Sequence, residues 1–237
     1  MDGTALGILL GLAFLPPLLF MLWVRNHEKT QPEPLGAVFG LFVYGGSLGV
    51  GIALALSLLL DYGIGVELGG LALVGVVVVA PLVEEFAKGL GLGLVRTRVR
   101  ELEDGIVYGA AIGLGFGATE NLLYGFQALG DGGIEHAAVT IAFRVVSSVL
   151  LHAGSSALLG YGYGLMRLRR KGLAMLLPYY LLAVLQHALY NFLVGPQYLW
   201  GFAAAVVMVL VVTGSLRRQI RRLDARPADA WEPVNRQ

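Results

Sequence analysis

The chain has 237 residues, 57% of them hydrophobic and only 14% charged, with a net charge of +1, and its mean hydropathy is +0.73. Those values exclude a soluble globular enzyme and place the chain among polytopic membrane proteins. With no cysteine, disulfides, thiol chemistry and Cys-ligated zinc or haem are also excluded.

Seven apolar segments are long enough to cross roughly 30 Å of hydrocarbon. The first, residues 5–24, lacks the basic leader of a signal peptide and is followed by Arg25 and Lys29. It reads as a retained anchor with a translocated N-terminus. The second, residues 36–60, carries Gly45 and Gly49 as a smooth patch. The third, residues 68–95, contains Pro81 and then Glu84, Glu85 and Lys88. A carboxylate at mid-membrane depth costs about 2.5–3.5 kcal/mol, so an adjacent pair there demands a use. Glu84 and Lys88 share a helical face, whereas Glu85 points about 100° away. Pro81 cannot donate to the carbonyl of Val77 and should kink the helix just before the pair.

The fourth segment, residues 105–127, has Gly105, Gly109, Gly113 and Gly117 at every fourth position, a ridge that a neighbouring backbone can approach closely. Phe116, Glu120 and Asn121 follow. The fifth, residues 137–166, bears Arg144, Ser148, His152 and Ser156 as one polar stripe. The sixth, residues 173–195, places His187 and Asn191 on one face. A turn at Gly195, Pro196 and Gln197 leads into the seventh, residues 197–216. The RRQIRRL run after it is a stop-transfer end suited to anionic lipid and too short for nucleic acid. The chain thus divides into one transmembrane domain, residues 1–216, and a disordered basic tail, residues 217–237.

Loop charge orients these spans. Two Lys or Arg lie in residues 25–35, three in 96–104, four in 167–172 and six in 217–237, which is fifteen of the seventeen in the chain. All fall on one side if seven spans alternate, giving an N-terminus outside and a C-terminus inside. The two remaining cations, Lys88 and Arg144, are intramembrane.

The midpoints of spans three to six fall near residues 82, 116, 152 and 184. Glu84, Glu120, His152 and His187 therefore lie within about 6 Å of one plane. Three carboxylates there face two permanent cations, and the excess calls for a proton, an imidazolium or a bound metal. Each residue also has a plainer reading. Glu84 with Lys88, or Glu120 with Arg144, can be a structural ion pair, and a single histidine can be a satisfied core residue. One shared depth on four helices favours a catalytic site.

The same residues resemble a known family. EEFAK (Glu84 to Lys88) looks like the EExxK motif of the PrsW intramembrane proteases, and FGATEN (Phe116 to Asn121) looks like their FxxxEN motif. His152 and the HxxxN of His187 to Asn191 resemble the third and fourth motifs, so the likeness covers about residues 70–195, within a catalytic core of about residues 68–195. The related CAAX prenyl endopeptidases usually show EExxxR and FxxxH, where Lys88 and Glu120 stand here. The resemblance implies an intramembrane endopeptidase of a prokaryotic plasma membrane, cutting a single-span, anti-sigma-factor-like protein. Glu84 or Glu85 would be the general base, and His187 with Asn191 would stabilise the oxyanion. Glu120 and His152 would act as acid, water positioner or metal ligand; a Zn²⁺-dependent enzyme would use Glu120, His152 and His187. The rivals are a proton- or ion-coupled transporter, which usually shows internal repeats, and a non-catalytic scaffold subunit of the same superfamily.

Overall fold

The computed structural model describes residues 3–27, 31–64, 74–169, 172–195 and 199–224, and among them every regular element is a helix. In chain order these are α1 (Gly3–Arg25), α2 (Leu35–Tyr44), α3 (Val50–Ile64), α4 (Ala80–Leu92), α5 (Leu102–Arg144), α6 (Leu150–Arg169), α7 (Leu173–Val194) and α8 (Leu199–Asp224). A π-helical turn, Gly45–Gly49, joins α2 to α3, another, Gly75–Val79, precedes α4, and a third, Val145–Val149, joins α5 to α6. The expected turn residues Pro196 and Gln197 lie outside the described residues, as does the tail beyond Asp224. Arg217, Arg218, Arg221 and Arg222 continue α8 as its last turns.

Among the described residues, five helical runs have the length and apolarity to cross a membrane. One of them, Leu102–Arg169, counts 68 residues, about 100 Å if straight and far longer than one bilayer. It is broken at Gly132 and Gly133, and Gly133 takes φ 76° with ψ −171°, a conformation open to glycine alone. Beyond the break the chain runs back along itself. Gly105 abuts the carbonyl of Gly160, Gly109 that of Ser156, Gly113 that of His152, and Gly117 the backbone of Val149. Each advance of four residues on α5 is matched by a retreat of about four on α6, the register of an antiparallel pair. The glycine ridge is therefore the seam of this pair, as its spacing predicts.

The first arm of α5 is the centre of the molecule, with every residue from Leu102 to Ala118 buried. Its start is capped by Asp104, whose Oδ2 accepts from the backbone N–H of Arg100 at 2.7 Å and of Glu101 at 2.9 Å. On its other side Gly115 meets the carbonyl of Phe42, and Gly45 meets that of Ile112. The helix α1 packs along it through Met21 and Val24 at one end and through Leu9 and Ala13 near Ala128 and Ala137 at the other. The glutamate-bearing α4 lodges among α3, α5, α6 and α7. It is tied there by Tyr44, whose hydroxyl donates to the carbonyl of Ala87 at 2.9 Å.

Candidate active site

Four helices place polar side chains against one another in an otherwise apolar core. Glu85 is fully buried. Its Oε1 accepts from Lys88 Nζ at 2.8 Å, from Ser155 Oγ at 2.9 Å and from His187 Nδ1 at 2.9 Å. Glu120, on α5, forms a second such centre. Its Oε2 accepts from His152 Nε2 at 2.7 Å, from Arg144 Nη2 at 2.8 Å and from Ser148 Oγ at 3.3 Å. Each imidazole thus has its own carboxylate, and the two rings meet edge to face with centroids 4.9 Å apart.

Those partners assign the tautomers. Lys88 Nζ lies 2.8 Å from His152 Nδ1, and an ammonium only donates, so His152 carries its hydrogen on Nε2, towards Glu120. His187 donates from Nδ1 to Glu85, which leaves its Nε2 as a bare lone pair. That nitrogen faces Glu84 Oε2 at 3.8 Å. Glu84 Oε2 is itself buried with no hydrogen-bond partner, and Lys88 Nζ is 3.7 Å away. The side chains of Glu84, Arg144 and Glu120 keep 15%, 18% and 22% exposure, so the cluster opens on their side and closes behind Glu85 and Lys88.

Phe116 forms the floor, with its ring 4.3 Å from Lys88 Nζ and 5.3 Å from the His152 ring. Arg144 stacks on Tyr124, 3.7 Å from the ring centroid. The cluster therefore gathers Glu84, Glu85, Lys88, Phe116, Glu120, Arg144, His152 and His187. Two expected residues stand apart from it. Asn121 Nδ2 donates to the carbonyl of Ile141 at 3.2 Å and clamps the two arms of α5. Asn191 Nδ2 donates to the carbonyl of Val76 at 2.9 Å, inside the π-turn that precedes Pro81.

One contact was not legible from the periodicity. Ser155, not the stripe residue Ser156, donates to Glu85, and Ser156 Oγ has no partner. Both serines follow the π-turn Val145–Val149, and the seam that sets the Ser156 backbone against Gly109 fixes the rotation of α6 that turns Ser155 towards Glu85. The only available signal was that Ser155 lies three residues after His152 and shares its face.

The donors suit a metal of the zinc class. Glu84, His152 and His187 each offer one ligand atom, all within 4.8 Å of one another. The orphaned Glu84 Oε2 and the bare His187 Nε2 are unclaimed, and the two carboxylate-held imidazoles match the usual outer support of metal-binding histidines. The carboxylate in this group is Glu84 rather than the expected Glu120, whose Oε2 already serves His152.

A family profile described as PrsW family intramembrane metalloprotease matches residues 33–215. The chain is 29% identical over 208 residues to Protease PrsW of Clostridioides difficile, spanning 85% of each protein. It is 27% identical over 231 residues to Protease PrsW of Geobacillus kaustophilus, covering 94% of this chain and 95% of that one. A third similar protein, Protease PrsW of Oceanobacillus iheyensis, is 28% identical over 186 residues. No solved structure matches the chain with significance.

Proposed function

This chain belongs to the PrsW family of intramembrane metalloproteases, and we propose that it cuts single-span, membrane-anchored regulatory proteins of the anti-sigma-factor kind. The supporting observation is the pair of carboxylate–imidazole dyads, Glu120 with His152 and Glu85 with His187, closing on Glu84. A transporter would use such groups as a proton relay, and family membership removes that reading.

Peptide hydrolysis needs an acceptor for the proton of the attacking water and a donor for the leaving amine. Glu84 fills both roles in turn: Oε2 of each glutamate lacks a donor, but only the Glu84 side chain, 15% exposed, lies on the open side of the cluster, whereas Glu85 is sealed. Glu85 has Oε1 occupied by three donors and works as a positioning residue, holding His187 so that Nε2 faces Glu84. Glu120, braced by Arg144 and Ser148, holds His152 in the same way. Asn191 anchors α7 to the π-turn ahead of the glutamates, which keeps His187 in register with Glu85. Glu84, His152 and His187 would hold the ion, Glu84 with one carboxylate oxygen while the other is left to take the proton, and the ion would supply Lewis-acid polarisation of the scissile carbonyl and a more acidic water.

The same reading puts the chain in a prokaryotic plasma membrane with seven crossings, N-terminus outside. The break at Gly132 and Gly133, which divides the longest run into antiparallel arms, supports the count. Metal analysis of the purified protein, with cleavage assayed before and after chelation, tests the chemistry. About one zinc-class ion per chain is expected, with activity lost on chelation and restored by Zn²⁺. Full activity in a metal-free preparation would leave water activation to Glu84 alone.

A further inference from the structure

We propose that Lys88 is a resident cation which a metal must displace from His152, so that Lys88 sets how tightly the site holds metal; this rests on the metal site assigned above. His152 has no ring nitrogen to spare. Its Nδ1 takes a hydrogen bond from Lys88 Nζ at 2.8 Å, and its Nε2 is 2.7 Å from Glu120 Oε2. For His152 to become a ligand, one of these partners must withdraw.

Glu120 is the fixed one. The oxygen that meets His152 is also held by Arg144 at 2.8 Å and Ser148 at 3.3 Å. Keeping that contact also leaves both imidazoles in one arrangement, with a carboxylate on one nitrogen and the other nitrogen presented inward. Lys88 is the movable one. It is a point charge on a flexible four-carbon stem, and alternative partners already surround it. Glu84 Oε2 is 3.7 Å from Nζ, and the Phe116 ring centroid is 4.3 Å away.

The ammonium also touches what the ion would touch. It lies within 4 Å of Glu84, Glu85 and His152 at once. A divalent ion and an ammonium at such separations repel strongly in a water-poor core. Without Lys88 the cluster would hold Glu84, Glu85 and Glu120 against Arg144 alone, a stronger draw for a cation. A lysine that merely buttressed the site would have the opposite effect, since its loss would loosen the donors.

The test compares Zn²⁺ affinity of the full-length protein in detergent, by competition with a chromogenic chelator, for wild type, Lys88→Met and Lys88→Arg. Methionine keeps an unbranched apolar stem and removes the charge; arginine keeps the charge. Lys88→Met should bind Zn²⁺ at least about tenfold more tightly than wild type, and Lys88→Arg should not tighten. A second readout needs no variant. The chain has three lysines, Lys29, Lys88 and Lys171, so a lysine-selective NMR label gives three side-chain signals, and that of Lys88 should move when Zn²⁺ is added. Equal or weaker binding by Lys88→Met would overturn the proposal, as would a Lys88 signal unmoved at saturating Zn²⁺. If neither wild type nor Lys88→Met binds Zn²⁺, the metal site itself fails and this inference fails with it.

Discussion

Glu84 and Glu85 are neighbours in the chain and opposites in circumstance. Glu85 is sealed, with three donors on Oε1, whereas Glu84 has a side chain 15% exposed; Oε2 of both lacks a donor. Glutamine at either position preserves volume, so both variants should accumulate normally. Glu84→Gln removes the proton acceptor and should lower the cleavage rate by about 10²–10⁴-fold. Glu85→Gln keeps a carbonyl oxygen for Lys88, Ser155 and His187, and should cost about 10–100-fold as a supporting partner. Cleavage of a membrane-anchored substrate, normalised to protein level, separates the two; equal losses would contradict the division of labour. A different carboxyl responds to pH. Glu33, in the loop before α2, is buried and accepts from the hydroxyl of Tyr108. Burial is the larger influence and pushes its carboxyl from 4.5 up to about 7, against the opposing Tyr108 bond. Between these values the unfolded chain has released a proton that the folded chain keeps, so stability falls as pH rises through this window and is level above it. The thermal midpoint of wild type relative to Glu33→Gln should accordingly be higher at pH 5 than at pH 8.

Helix seams, rather than the polar groups, bring these helices to contact distance. Gly109 faces the Ser156 carbonyl, and Gly113 faces the carbonyl of His152 itself. A side chain at either position would force α5 and α6 apart and carry Glu120 away from His152. Gly109→Val should therefore lose thermal stability, by about 1–3 kcal/mol, and lose cleavage with it. Gly130→Ala, where a Cβ meets open space, should change neither. A stable, active Gly109→Val would show that the seam tolerates expansion. The π-turn Gly75–Val79 works at the same scale. It presents the Val76 carbonyl to Asn191 and leads into Pro81, so that α4 begins its α-helical course one turn before the glutamates.

For the whole molecule, the basic ends of alternate helices gather at one end of the bundle. Arg25 Nε donates to the Glu33 carbonyl at 2.6 Å, Arg167 Nη2 to the Arg96 carbonyl at 3.3 Å, and Arg217 lies 5.5 Å over the Trp23 ring. This clustering accords with the proposed topology, because cytoplasmic ends retain Lys and Arg. Reporter fusions at residues 30, 65, 100, 132, 169 and 225 should read in, out, in, out, in and in. A cytoplasmic signal at 65 or 132 would break the assignment.

The helical character, the membrane class and the meeting of polar residues from four helices were all legible in the chain. Apolarity declares the spans, and depth depends only on a constant rise per residue. The glycine seam of α5 was legible too, since a four-residue period marks one face of any helix. Partner choice was not. Sequence placed Glu84, Glu85, Glu120, His152 and His187 near one plane, but their pairing depends on how far each helix is rotated about its axis. That rotation comes from neighbouring backbones and from the three π-turns, each of which shifts the phase of the helix after it. Hence Ser155 rather than Ser156 reaches Glu85, Asn191 reaches Val76, and Lys88 closes on His152, a contact between residues 64 positions apart. Only the packed bundle could decide these, because a hydrogen bond requires direction and contact as well as depth.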